Sequence, residues 1–375
     1  MNFPDRPLEA AGAEAYVLYS SSDDPDMRYL TGFETGDPVF YIKKKGRKGT
    51  LVVPQMEAER AVSESHCDVV TRGDAGFFDY LKEEKDPAKA TAKMVAALAG
   101  GDILVPRTFP LYLAREMERL CKINIDKGTV SGMRAVKTPD EADFIRHSQK
   151  ITEDAISFAV SLIKSASAKT GELEINETPL TSDYLRNEIH CYLLKRGLLA
   201  RDTIVSCGPE TSMPHCKGSG VLVENEPIMI DLFPQDTKTG YYADMTRTFV
   251  RGEPDGEIKN MFSVVREAKV LGKSMIREGV SGSAVHNAVV SHFEGSGYKT
   301  GTEGFIHSLG HGVGMAVHEE PSLSPSGKEL LAGNVVTVEP GLYYRSTGGI
   351  RLEDMGLVLK EGFDCFTKYK DELII

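Results

Sequence analysis

Four acidic residues sit where an apolar strand has little use for charge. Asp231 follows Ile228-Met229-Ile230, and Asp244 precedes Met245-Thr246-Arg247-Thr248-Phe249-Val250. Glu339 ends Val335-Val336-Thr337-Val338, and Glu353 lies within Arg351–Leu359. The surrounding residues predict strands over Pro227–Phe233, Tyr241–Val250, Val335–Glu339 and Arg351–Leu359. A carboxylate placed there loses hydration, which is costly unless it is paired or holds a cation. Any one of them alone fits a strand end facing solvent. All four, together with His311 in Gly310-His311-Gly312-Val313-Gly314, form a set that repels itself unless cations intervene. Four carboxylates and one imidazole suit two divalent ions of the manganese, cobalt, iron or zinc type.

The rest of the chain must supply a scaffold for that charge. At 375 residues it exceeds the roughly 250–300 at which single cores stop growing, so two domains are expected. Lys+Arg 44 against Asp+Glu 55 leaves a net charge of −11, which argues against a nucleic-acid binder. The 41% hydrophobic and 26% charged composition is that of a globular protein. No run approaches the roughly 18 apolar residues that a membrane span needs, so no membrane partner is expected. Six scattered cysteines without a CxxC pair suggest reduced thiols and the cytoplasm.

Residues 1–132 form the expected first domain, a small α/β unit. Its strands are predicted at Ala15–Ser20, Val39–Ile42, Thr50–Pro54, Asp68–Arg72 and Asp102–Pro106, with helices over Met56–Ser63, Asp86–Leu98 and Leu111–Leu120. The basic stretch Lys43-Lys44-Lys45-Gly46-Arg47-Lys48-Gly49 is expected to be a solvated hairpin turn, since one turn makes no continuous basic face. The second domain, 138–375, opens on Thr138-Pro139-Asp140-Glu141, a capping box with proline at the first helical position. That helix should bury Phe144, Ile145, Ile151, Ala155, Ile156, Ala159, Leu162 and Ile163, and expose Arg146, Lys150, Glu153, Asp154, Ser157 and Ser161. Further helices are predicted over Ser182–Arg196 and Glu257–Arg277, which makes the domain α+β with helices on one face of its strands.

Two nucleotide-binding readings fail on the residues. Met315 breaks a GxGxxG frame after Gly310, and Glu267 stands where a P-loop ending in Gly272-Lys273-Ser274 needs glycine. Small residues around His311 fit better with close approach of the backbone to a metal or substrate.

Taken in order, Ile230-Asp231-Leu232-Phe233, Ala243–Thr248, His307–Gly314, His318-Glu319-Glu320-Pro321, Thr337–Gly341 and Gly349–Asp354 resemble the pita-bread (M24-type) metallopeptidases. Methionine aminopeptidase, aminopeptidase P and prolidase belong to that family. Tyr29-Leu30-Thr31-Gly32-Phe33 is similar, more loosely, to the first domain of creatinase and prolidase. The resemblance implies a pita-bread catalytic domain with Asp231, Asp244, His311, Glu339 and Glu353 as ligands of two divalent ions. It implies attack on a peptide carbonyl by a hydroxide bridging the ions, with Glu339 shuttling the proton. By the same likeness His215 and His318 contact substrate and assist catalysis, and His307 helps shape a proline pocket. Arg351 would orient a ligand carboxylate, while Glu319, Glu320 and Asp354 are neighbours rather than ligands.

The implied activity is removal of the first residue from Xaa-Pro dipeptides or short Xaa-Pro peptides by a homodimeric enzyme. The alternatives are a non-cleaving peptide- or protein-binding module, or a non-peptide hydrolase or lyase on the same fold. Two departures bear on the site. Asp231 and Asp244 lie 13 positions apart, longer than usual, which a two-residue extension at a hairpin turn can absorb without disturbing alignment. Ser322 stands where some prolidases carry an arginine for a dipeptide's carboxylate, leaving Arg345 as a possible substitute.

Overall fold

The computed structural model describes residues 3–375 and divides between Met133 and Arg134 into two units. In the first, six strands run in the spatial order Asp68–Thr71, Thr50–Val53, Val39–Lys44, Ala15–Ser20, Ile103–Val105, Ile123–Ile125. Alternation along the central strands sends Ala15, Val17, Phe40 and Ile42 to a core with Ala92, Val95, Ala99 and Leu113. Tyr16 and Tyr41 take the other face, where Phe3 stacks on Tyr16 at 3.9 Å. Both faces are therefore covered. The helix Pro87–Ala99 starts as expected, with Asp86 accepting from the Ala88 amide at 2.9 Å.

The basic stretch forms the expected hairpin turn, exposed from Lys44 to Lys48, and departs from expectation at Lys43. Lys43 is a buried strand residue that donates to Asp5 at 2.5 Å, and Lys45 and Lys48 pair with Glu9 and Asp68 at 3.3 and 3.5 Å. Acids on adjoining segments absorb this charge. The strand Ile123–Ile125 and the helices Asp5–Ala11, Pro25–Thr31, Phe77–Glu84 and Thr129–Ala135 were not anticipated; each helix has only seven or eight residues, too few to show a clear period.

The second unit repeats one arrangement, although the sequence shows no repeat. The helices Pro139–Ser165 and Ser182–Leu194 cover a three-stranded antiparallel sheet of Ile204–Cys207, Pro227–Leu232 and Met245–Val250, closing a core of Ile156, Ile163, Leu185, Ile189, Ile228, Ile230 and Phe249. Gly256–Met275 and Gly282–Gly295 do the same for a five-stranded antiparallel sheet. Its order is Glu319–Leu323, Gly310–Gly312, Val335–Val338, Asp354–Leu359, Gly362–Cys365. A hairpin of Gly341–Tyr344 and Gly348–Arg351 is inserted between two neighbouring strands of this second sheet, Val335–Val338 and Asp354–Leu359.

The long helix carries the expected capping box at Thr138 and Glu141. Two of its residues depart from the predicted faces. Phe144 is 41% exposed, while Glu153 is buried, accepting from the backbone amides of Lys368 and Tyr369. A buried carboxylate is tolerable there because two N–H groups meet it. The predicted strand Arg351–Leu359 breaks at Leu352 and Glu353, whose amides donate out of register to Pro340 and Thr246 at 3.3 and 3.0 Å. There the chain crosses from the hairpin to the five-stranded sheet.

Glu319 and Glu320, adjacent in sequence, have opposite environments. Glu319 is buried between Arg134 and Lys137, accepting from the Lys137 ammonium at 2.6 Å, whereas Glu320 is exposed. Removing one member of a buried charge group strands the others. Glu319→Ala is expected to cost about 3–5 kcal/mol in urea unfolding, and Glu320→Ala less than about 0.5 kcal/mol. Equal effects would show that the buried cluster is not an energetic unit.

Candidate metal centre

Strand alternation aims the acids away from the helices. Ile228, Ile230 and Leu232 face the helix-covered core, so Asp231 faces the opposite side. The strand pairs Asp231 with Thr246 and Leu232 with Met245, and the same register continues to a bridge between Gln235 and Tyr242. Asp244, two positions before Thr246, therefore shares the face of Asp231. The longer connection is taken up by a turn in which Asp236 accepts from the Lys238 and Thr239 amides at 2.9 and 2.7 Å. It lengthens the hairpin without a slip.

In the other sheet, Val336 and Val338 face the helices, which directs Thr337 and Glu339 to the site side. The Thr337 hydroxyl accepts from the His311 amide at 3.1 Å, and the Glu339 amide donates to Leu309 at 2.8 Å. The glycines around His311 serve a different end from the one expected. A Cβ on Gly310 would stand 2.1 Å from the Thr337 carbonyl oxygen, and one on Gly312 2.3 Å from that of Glu320. They admit the backbones of neighbouring strands.

Ligand atoms of Asp244, His311 and Glu353 lie within 4.8 Å of one another. His311 Nε2 is 3.3 Å from Glu339 Oε1 and 3.7 Å from Asp244 Oδ2. Asp231 Oδ2 accepts from Arg351 Nη2 at 2.8 Å, while its Oδ1 is buried without a hydrogen-bond partner, the Thr246 hydroxyl being given to Glu353 at 2.9 Å. Burial, with repulsion from Glu353, Asp231 and Glu339, raises Asp244 well above the usual carboxylate range. Burial, with the charges of Glu339 and Asp231, pushes Glu353 up to about 8. Burial also raises Asp231 despite the pull of Arg351. Burial opposes the charge of Glu339 as well, but the hydrogen bond and positive charge of His311 bring it down to about 2. Three acids resist ionising and one buried oxygen lacks a donor. A cation answers both, so the donor set fits divalent ions.

The remaining predicted residues line this cluster unequally. The rings of His318 and His311 meet edge to face at 4.1 Å. His307 Nε2 lies 2.9 Å from the Tyr343 hydroxyl, which also accepts from Arg351 Nη1 at 3.0 Å. His215 is exposed on its loop, and the adjacent Pro214 carbonyl accepts from Arg351 at 3.2 Å. Arg351 thus grips Asp231 rather than its neighbour Glu353. Tyr343 and Gln149 were missed. Gln149 accepts from the Asp244 amide at 3.2 Å and donates to Thr367 at 2.8 Å, roles that depend on a long-range fold. Lys273, at the rejected P-loop, sits on a helix and pairs with Asp354 at 2.5 Å.

A pH dependence follows. The unfolded chain ionises Glu353 near its ordinary 4.5, whereas the folded, metal-free site holds that proton up to about 8. Its contribution to stability is therefore present below pH 4.5 and lost as the pH rises through about 8. Binding a cation must displace the proton. Calorimetry in two buffers should show Mn2+ affinity rising from about pH 6 to pH 8 with proton release, as ligand deprotonation requires; affinity independent of pH would contradict this electrostatic picture.

Residues 143–360 match the model of metallopeptidase family M24, and residues 6–121 match the creatinase/prolidase N-terminal domain. An uncharacterized peptidase of Methanocaldococcus jannaschii is 35% identical over 272 residues, covering 70% of this chain and 72% of its own. An Xaa-Pro dipeptidase of Pyrococcus horikoshii is 29% identical over 359 residues, covering 94% and 92%. Among solved structures, an X-Pro aminopeptidase from Thermotoga maritima superposes with a TM-score of 0.81 at 26% identity, covering 99% of this chain and 100% of the other. An Xaa-Pro dipeptidase from Bacillus anthracis shares the fold at a TM-score of 0.84 and 24% identity, covering 99% and 98%. Among the described residues no helix is long and apolar enough to cross a membrane. With a creatinase-type domain ahead of a pita-bread domain that carries the family match, this chain belongs to metallopeptidase family M24.

Proposed function

We propose that this M24 peptidase removes the N-terminal residue from Xaa-Pro dipeptides or short Xaa-Pro peptides. The observation that carries the reading is the convergence of Asp244, His311 and Glu353, with Glu339 against His311 and His307 against Tyr343 at its edge. The names of the Pyrococcus and Thermotoga relatives support the same substrate class. Asp231, Asp244, His311, Glu339 and Glu353 would hold two divalent ions. When bound, these supply Lewis acidity toward a peptide carbonyl and toward water.

The protein's own groups do the rest. Glu339, beside His311 at 3.3 Å, would take the proton of the attacking water and return it to the leaving nitrogen. Burial and the adjacent His311 charge lower the pKa of His318, so a neutral imidazole can donate its N–H to a developing oxyanion. His307, braced by Tyr343, offers a ring edge to a proline. His215 completes the substrate wall from a loop that Arg351 anchors.

A dipeptide specialist also needs a cation for the substrate's free carboxylate. Ser322 supplies none, its hydroxyl being shared with Ser324 at 2.9 Å, and Arg345 lies exposed in the hairpin turn. Cleavage of tripeptides as well as dipeptides is therefore expected. Purified protein loaded with Mn2+ or Co2+ should release the first residue from both Xaa-Pro dipeptides and Xaa-Pro tripeptides in a chromatographic assay. Metal-loaded protein that cleaves neither would refute the reading, and strict dipeptide cleavage would implicate Arg345. Glu339→Ala should lower kcat by at least about 100-fold while leaving the circular dichroism of the fold unchanged. An unaltered rate would remove Glu339 from the chemistry.

A further inference from the structure

Arg247 is fully buried and points to the helix side of its strand, opposite the face that bears Asp231 and Thr246. Every N–H of its guanidinium is used. Nη1 donates to the carbonyls of Thr246 and Glu353 at 2.9 and 2.5 Å. Nη2 donates to Asp354 Oδ1 and the Tyr369 carbonyl, both at 2.7 Å. Nε reaches the Lys370 carbonyl at 3.4 Å and lies 3.3 Å from Asp371 Oδ1. Asp354 is held in turn by Lys269 at 3.0 Å and Lys273 at 2.5 Å.

Glu353 is thereby fixed at three points. Its amide donates to Thr246, its carbonyl accepts from Arg247, and its carboxylate accepts from the Thr246 hydroxyl. This matters because Glu353 lies where the strand breaks, between Gly348–Arg351 and Asp354–Leu359, and has no ladder of its own to set its peptide plane. We infer that Arg247 is a positioning residue for Glu353: its planar fork sets the peptide on which the carboxylate is aimed, without touching ion or substrate. The inference rests on the reading of Glu353 as a ligand. Lysine keeps the charge but has one nitrogen and no fork, so it cannot hold two carbonyls and a carboxylate in that plane.

The test uses the full chain, with Mn2+ binding followed by calorimetry and Co2+ uptake by visible absorption. Arg247→Lys should weaken binding by about 10–100-fold, the usual effect of losing a group that orients a ligand, and should shift the Co2+ bands. Lys273→Met loosens the same ionic cluster without touching the Glu353 peptide and should keep the wild-type affinity and spectrum. Folded Arg247→Lys with wild-type affinity and spectrum overturns the inference. Equal losses in both variants also overturn it, since the effect would then be one of charge. Should Arg247→Lys not fold, Asp354→Asn, which retains Arg247 but weakens its grip, must lower affinity several-fold; unchanged affinity overturns the inference. Wild-type protein that takes up neither ion would defeat the ligand reading itself, whereas normal wild-type uptake unaltered by these variants defeats the role of Arg247 alone.

Discussion

The second unit is organised around repulsion. Asp231, Asp244, Glu339 and Glu353 are brought together on the helix-free sides of two sheets, and burial makes their mutual proximity expensive. Much of the surrounding structure offsets that expense. Arg351 neutralises Asp231, His311 neutralises Glu339, and the Thr246 hydroxyl serves Glu353. The helices bury their apolar faces against the opposite sides of the sheets, leaving these sides to carry charge.

A second layer of buried ion pairs lies outside this acidic cluster. Arg247, Lys269 and Lys273 surround Asp354 and hold it strongly ionised, the burial cost being exceeded by three cations. Glu319 between Arg134 and Lys137 is a comparable group next to His318. Such groups are poor sources of net stability when compared with well-packed apolar side chains. Here they join segments distant in sequence at fixed geometry, as the five donors of Arg247 illustrate.

The parts of this design that were legible in the sequence are those that local chemistry sets. Thr138-Pro139-Asp140-Glu141 announces a helix start because its capping groups lie within four residues. The strands that carry the candidate ligands stand out because an acid interrupts an apolar run. The short helices of the first unit gave too little period to detect. The break at Glu353 was hidden because Arg351–Leu359 has strand composition throughout, and the partners that divide it, Thr246 and Pro340, are remote in sequence. Glu153 reads as a solvent-facing residue because the amides that donate to it belong to Lys368 and Tyr369, more than 200 residues away. That Arg351 meets a carboxylate is legible from its place in the motif, but which one is not, because Asp231 lies 120 residues away and only the folded strands present it. Tyr343 carries no local mark of its place between His307 and Arg351.

The strand break at Glu353 also bears on the order of assembly. Asp231 and Glu353 are 122 residues apart, and the segment that locks Glu353 through Arg247 reaches Lys370, near the end of the chain. Contacts of such separation are slow to form, because loop closure must precede any return from the contact. The three-stranded sheet can be complete while the candidate metal pocket still lacks Glu353. If the proposed ligand set holds, a growing polypeptide would lack a finished pocket until Glu353 and the segment that reaches Arg247 have been synthesised, so metal capture would follow the assembly of this unit rather than initiate it.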